Sequence, residues 1–108
     1  RGLPLEMTEA NLLAMAGAAR QAGAKVLLVG VQVPPNYGRD YSERFVALFD
    51  KVASRGKTAL VPSILKGVAE GPDAASLFQA DRIHPNEQAQ PLLMANVWPA
   101  LKKLLTTK

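Results

Sequence analysis

The run from Lys25 to Val33, KVLLVGVQV, constrains this chain more than any other stretch. It is almost unbroken aliphatic and β-branched, and apolar residues do not alternate with polar ones. A strand with one face in water alternates; a strand covered on both faces does not. The pattern is therefore that of an interior parallel strand with helices on its faces. Pro34 and Pro35 end it, because neither can donate to a ladder.

What flanks the run fits that reading. Pro4 suits a first helical turn. Leu12, Ala16 and Ala19, with Met15 alongside, recur at helical spacing before Gly23, which predicts a helix over 5–22. Asp40 and Glu43 have the spacing of an N-cap and its N3 carboxylate. Phe45, Leu48, Phe49 and Val52 then form an apolar stripe that Gly56 closes. Thr58 to Val61 reads as a second short strand stopped by Pro62. One or two helical turns follow over 64–70, a turn over 71–73, and a short helix or ordered loop over 74–80. Asn86 can cap a last helix that begins afresh near Pro91. Its stripe is Leu93, Val97, Leu101 and Leu104, and Pro99 is expected to kink it.

Helix, strand, helix, strand, helix is an α/β order with a parallel sheet. Two parallel strands make a poor free-standing sheet, and a run as apolar as 25–33 wants a neighbour on each side. The expectation is a C-terminal part of a larger α/β domain. The missing strands would come from another polypeptide, an absent segment or a swapped copy. The opening Arg1-Gly2-Leu3-Pro4, without Met, points the same way, to a processed or truncated product.

Composition narrows the function. The chain has 108 residues and a formal charge of +4, yet its basic residues are scattered and only 6% of residues are aromatic, which argues against nucleic acid as a partner. No apolar run approaches the roughly 20 residues of a membrane span. There is no cysteine, so no thiolate metal site exists. One histidine with scattered carboxylates is a poor ligand set, and neither a metal nor a cofactor is expected.

That histidine, His84, stands three residues after Asp81, in a region where an α/β sheet builds its sites, beyond the carboxyl ends of the strands. Asp-x-x-His can let the carboxylate accept a hydrogen bond from the imidazole, which is the acid–base half of a Ser-His-Asp triad. Spacing alone leaves two readings open, and a capped turn beside a surface histidine is the commoner. Of the local serines only Ser63, after Pro62, lies near the expected active edge, and no strained elbow surrounds it.

The wider stretch is more specific. Asp81-Arg82-Ile83-His84-Pro85-Asn86, followed by Ala89-Gln90-Pro91, resembles the last conserved block of the SGNH (GDSL-type) hydrolases. The loop from Val33 through Pro34, Pro35, Asn36, Tyr37 and Gly38 to Tyr41 is similar to the Pro-Ala-Asn-Tyr-Gly loop of the branch containing bacterial arylesterases and periplasmic thioesterase–lysophospholipases. Arg1 to Pro4 resembles the segment after that branch's Gly-x-Asn-Asp block. The resemblance is collinear over essentially the whole chain. It implies the C-terminal part of a flavodoxin-like three-layer α/β/α fold. It implies Asp81 and His84 as catalytic acid and base of a serine esterase or thioesterase, and Pro34, Pro35, Asn36 and Tyr37 beside a small acyl ester or thioester substrate. The family's nucleophile, oxyanion and Gly-x-Asn-Asp blocks would all precede Arg1. The chain is thus expected to need the N-terminal part of the domain, in the same or a separate chain, or else to be a non-catalytic fragment or homo-oligomerising module. The family also favours a periplasmic or secreted setting.

Overall fold

A computed structural model describes residues 4–33 and 37–106. Pro4 precedes α1 (Leu5–Gln21), as its fixed φ favours, and Gly23 leaves the helix at a φ of 90°. The chain then enters β1 (Leu27–Val29), α2 (Arg39–Gly56), β2 (Ala59–Val61) and, after a long ordered loop, α3 (Gln90–Thr106). β1 and β2 are parallel, with Leu27 opposite Ala59 and Val29 opposite Val61. This is the α/β arrangement with a parallel sheet that the sequence pattern predicts.

The core lies between α1, α2 and the sheet. Leu48, Phe49 and Val52, three of the four stripe residues of α2, are buried. Leu48 and Val52 cluster with Leu5, and Leu12, Leu13, Leu28, Tyr41 and Phe45 pack around them. Burying such side chains stabilises by about 1.5–3 kcal/mol each. Arg55–Glu9, at 3.0 Å, and the longer Arg44–Glu6 pair tie the outer faces of the two helices. Both are solvent-exposed and add at most about 1 kcal/mol each. Met15 lies off the packed face and is 59% exposed. α3 contacts both strands. Its four stripe residues are half-buried, and the helix runs uninterrupted through Pro99. The Lys25 ammonium donates to the Leu104 carbonyl (2.8 Å), satisfying a last-turn acceptor of α3.

Four expectations are corrected. The strand foreseen over 25–33 is only 27–29, because a ladder needs a partner: β2 offers three residues before Pro62, and no described strand lies along the other edge of β1. For the same reason Leu27, Leu28 and Val29 are half-buried, not enclosed. Gly38, at φ 91°, is the N-cap of α2, so Asp40 falls in the first turn and pairs loosely with Arg44. At the far end Gly56 is still helical, and Lys57 takes the left-handed conformation that stops the helix.

The molecule is flat. Its thinnest extent is 17 Å, and its radius of gyration is 15.1 Å. A compact domain of this length would have about 13 Å. In this slab the carboxyl ends of both strands share one edge, joined by bonds from the Gly30 amide to the Val61 carbonyl (2.7 Å) and from the Ile64 amide to the Gly30 carbonyl (3.0 Å).

Candidate active site

The loop that leaves β2 carries the histidine. Residues 64–70 form hydrogen-bonded turns rather than a helix, and Asn96 of α3 clamps them by donating to the Ile64 and Lys66 carbonyls, both at 2.8 Å. A single 3-10 turn (Ala74–Leu77) follows. The chain then doubles back on itself: Phe78 bridges Pro85, and the Gln79 amide donates to the His84 carbonyl at 2.8 Å. Asn86 closes the loop. Its side-chain oxygen accepts from the Gln88 and Ala89 amides, while its side-chain nitrogen donates to the Ser76 and Phe78 carbonyls. One side chain thus caps the 3-10 turn (Glu87–Ala89) that leads into α3 and pins the turn before the histidine.

At the tip of this hairpin, Asp81 uses both oxygens. Oδ1 accepts from the amides of Ile83 (2.9 Å) and His84 (3.0 Å), and Oδ2 lies 2.6 Å from His84 Nδ1. The bond from His84, with the two backbone bonds behind it, lowers the Asp81 pKa from the ordinary carboxylate value to about 2. An ionised carboxylate can only accept, so Nδ1 is the donor of this bond, and Nε2 is the ring nitrogen left outside it. The His84 side chain is 69% exposed, so that nitrogen is reachable.

Arg82, between acid and base, has a φ of 61°. It borders two open clefts. One, of about 440 Å³, is walled by Val31, Val33, Leu65, Phe78 and Ile83. The other, of about 600 Å³, is lined by Ala69, Ala74, Ala75 and Ala80 around Phe78.

Of the residues foreseen at the site, Asp81 and His84 are brought into direct contact. Tyr37 packs against Tyr41 with ring centroids 5.5 Å apart and planes tilted by 33°, at the head of a ladder that continues through Phe45 to Phe49. Pro34, Pro35 and Asn36 lie outside the described residues. Ser63 sits in the loop just beyond β2. Among the described residues no group of three or more potential metal ligands converges, and no helix is long and apolar enough to cross a membrane. Sequence reasoning missed the amide end of Asn86 and the clamp by Asn96. Side-chain amides facing carbonyls in distant turns leave no local pattern to read.

No family model matches the chain. Individual proteins do. It is 50% identical over 105 residues to Esterase TesA of Pseudomonas aeruginosa, covering 97% of this chain and 51% of that protein. It is 33% identical to an arylesterase of Vibrio mimicus over the same shares of both chains. It is 36% identical to thioesterase 1/protease 1/lysophospholipase L1 of Escherichia coli, over 86% of this chain and 43% of that one. Among solved structures, TesA superposes with a TM-score of 0.88 at 50% identity, over 96% of this chain and 56% of TesA. AlinE4, an SGNH-hydrolase family esterase, superposes with a TM-score of 0.67 at 30% identity, over 99% and 55%. The chain spans about half the length of the relatives it matches.

Proposed function

From a chain that is kin to the SGNH-hydrolase esterases over about half their length, we propose that it is the C-terminal part of a serine ester or thioester hydrolase and supplies the Asp–His portion of the triad. The observation that carries this reading is the 2.6 Å bond from His84 Nδ1 to Asp81 Oδ2, with the other ring nitrogen reachable from solvent. A buried or doubly bonded imidazole would be a structural histidine. This one is oriented on one side and open on the other, as a general base must be.

In the assembled enzyme the nucleophilic serine and the oxyanion donors come from the upstream part. His84 Nε2 takes the serine proton as the hydroxyl oxygen attacks the acyl carbon. The imidazolium, stabilised by Asp81, then returns that proton to the departing alcohol or thiol. Water, activated by the same nitrogen, releases the acid from the acyl-enzyme.

The test compares the 108-residue chain with a protein extended upstream to include the nucleophile block. Hydrolysis of p-nitrophenyl butyrate, and labelling by a fluorophosphonate, are expected only in the extended protein. His84→Ala should lower turnover by about a thousandfold or more. An extended protein that neither hydrolyses nor labels would sink the proposal.

A second reading is a non-catalytic or self-associating module. It is favoured by one observation: β1 is paired along one edge only, among the described residues, although it is the most apolar stretch of the chain. A chain that self-associates tightly, and stays inactive when the upstream part is supplied, would favour it.

A further inference from the structure

Arg82 combines three properties that seldom meet. Its backbone is left-handed, at φ 61°, a conformation that residues with a β-carbon adopt mainly where the surroundings over-determine it, and such residues cluster at functional sites. The surroundings here do so: the Arg82 amide donates to the Gln79 carbonyl at 2.9 Å, and the next two amides are both held by Asp81 Oδ1. Its guanidinium, second, has no hydrogen-bond or ion-pair partner among the described residues. No ion pair joins it to the adjacent Asp81, whose oxygens face the Ile83 and His84 amides and the His84 ring. Third, Ala69, Phe78 and Arg82 form a wall common to both clefts, and in each cleft Arg82 is the one charged lining residue.

A lone cation on walls that are mostly apolar, with Gln79 in one cleft and Gln32 in the other, suits a ligand with an apolar part and an anionic part. A guanidinium is the side chain best shaped for this: its planar fork meets a phosphate or carboxylate with two parallel hydrogen bonds, and apolar surroundings strengthen them. We propose that Arg82 is the anion-binding residue of the substrate cleft, receiving a phosphate or carboxylate carried by an acyl substrate whose apolar portion lies against Phe78. This rests on the hydrolase reading and goes beyond it by assigning the substrate a negative charge.

The test uses the protein with its upstream part and three butyryl substrates: a neutral p-nitrophenyl ester, a phosphate-bearing thioester (butyryl-coenzyme A) and a carboxylate-bearing aryl ester. Arg82→Gln and Arg82→Lys both keep the β-carbon, so both carry the same backbone cost and differ only in charge. Arg82→Gln should cut kcat/KM about tenfold or more for at least one anionic substrate, chiefly through KM, and leave the neutral ester within about twofold. Arg82→Lys should retain most of the preference. Whether the thioester or the carboxylate ester suffers identifies the anion. A uniform loss on all three substrates, or no loss, overturns the proposal. A protein that hydrolyses none of them fails the hydrolase reading instead. Calorimetric binding of hexyl phosphate then decides the role of Arg82, which requires weakening in Arg82→Gln and is overturned by unchanged affinity.

Discussion

Gly30 and Pro62 approach so closely that a β-carbon on Gly30 would run into the Pro62 carbonyl oxygen and lie 3.1 Å from its carbon. The obstacle is backbone, fixed by the ladder beside it, so no side chain can swing aside. Two effects of Gly30→Ala oppose each other. Restricting the unfolded chain stabilises by about 0.4–1 kcal/mol, and forcing a methyl into filled space costs about 1–3 kcal/mol or more. The clash should win. Urea denaturation is expected to show a net loss of about 1–2 kcal/mol, and since both strands deliver their loops here, activity should fall with stability.

The low pKa of Asp81 has a signed consequence. A carboxyl whose folded value, about 2, lies below its unfolded value stabilises the fold fully above the unfolded value, and that stabilisation is lost as pH falls towards 2. Comparing urea midpoints of the native protein and Asp81→Asn from pH 7 to 2 should give a gap that is constant at neutral pH and closes below about pH 4. A gap independent of pH would mean that the carboxylate charge is not what holds the loop.

Asn86 offers a test of how the histidine loop is fastened. Were it only a cap, Asp in its place would be harmless, because Asp caps as well as Asn does. But its amide also serves the Ser76 and Phe78 carbonyls, and a carboxylate there would face two acceptors. Asn86→Asp should therefore cost about 1 kcal/mol or more, and Asn86→Ala about 2 kcal/mol. Both should lower kcat through misplacement of His84. An unperturbed Asn86→Asp variant would reduce the residue to a simple cap.

The isolated chain is expected to associate. β1 has no partner along its outer edge among the described residues, and Val31, just beyond it, is 40% exposed. An apolar strand with an unpaired edge is a template for pairing. Sedimentation should show concentration-dependent assembly, suppressed when the upstream part is joined to the chain. A sharp, concentration-independent melt of a monomer would contradict this.

Much of the fold was legible, because the signals were local. Periodicity placed α1, and Phe45, Leu48, Phe49 and Val52 placed α2 and most of its buried face. The Asn86 cap was written in one residue. The length of β1 was not legible, since a strand ends where its neighbour ends, and Pro62 lies in the neighbour. Asp40 misled because its spacing to Glu43 suits a cap, but Gly38 can adopt a positive φ and begins the helix earlier. At the site, Asp81 and His84 were visible as a spacing. The unpartnered guanidinium of Arg82 was not, because being unpaired is a property of everything around a residue.

Every hydrogen bond that shapes the acid–base pair closes within the segment from Ser76 to Gln90. Loops this short cost little entropy to close and form early, ahead of contacts between distant parts of the chain. The carboxylate and imidazole can thus be aligned before the sheet is complete. The slow search in folding then falls to the distant contacts, the pairing of β1 with β2 and the docking of α3 on the sheet.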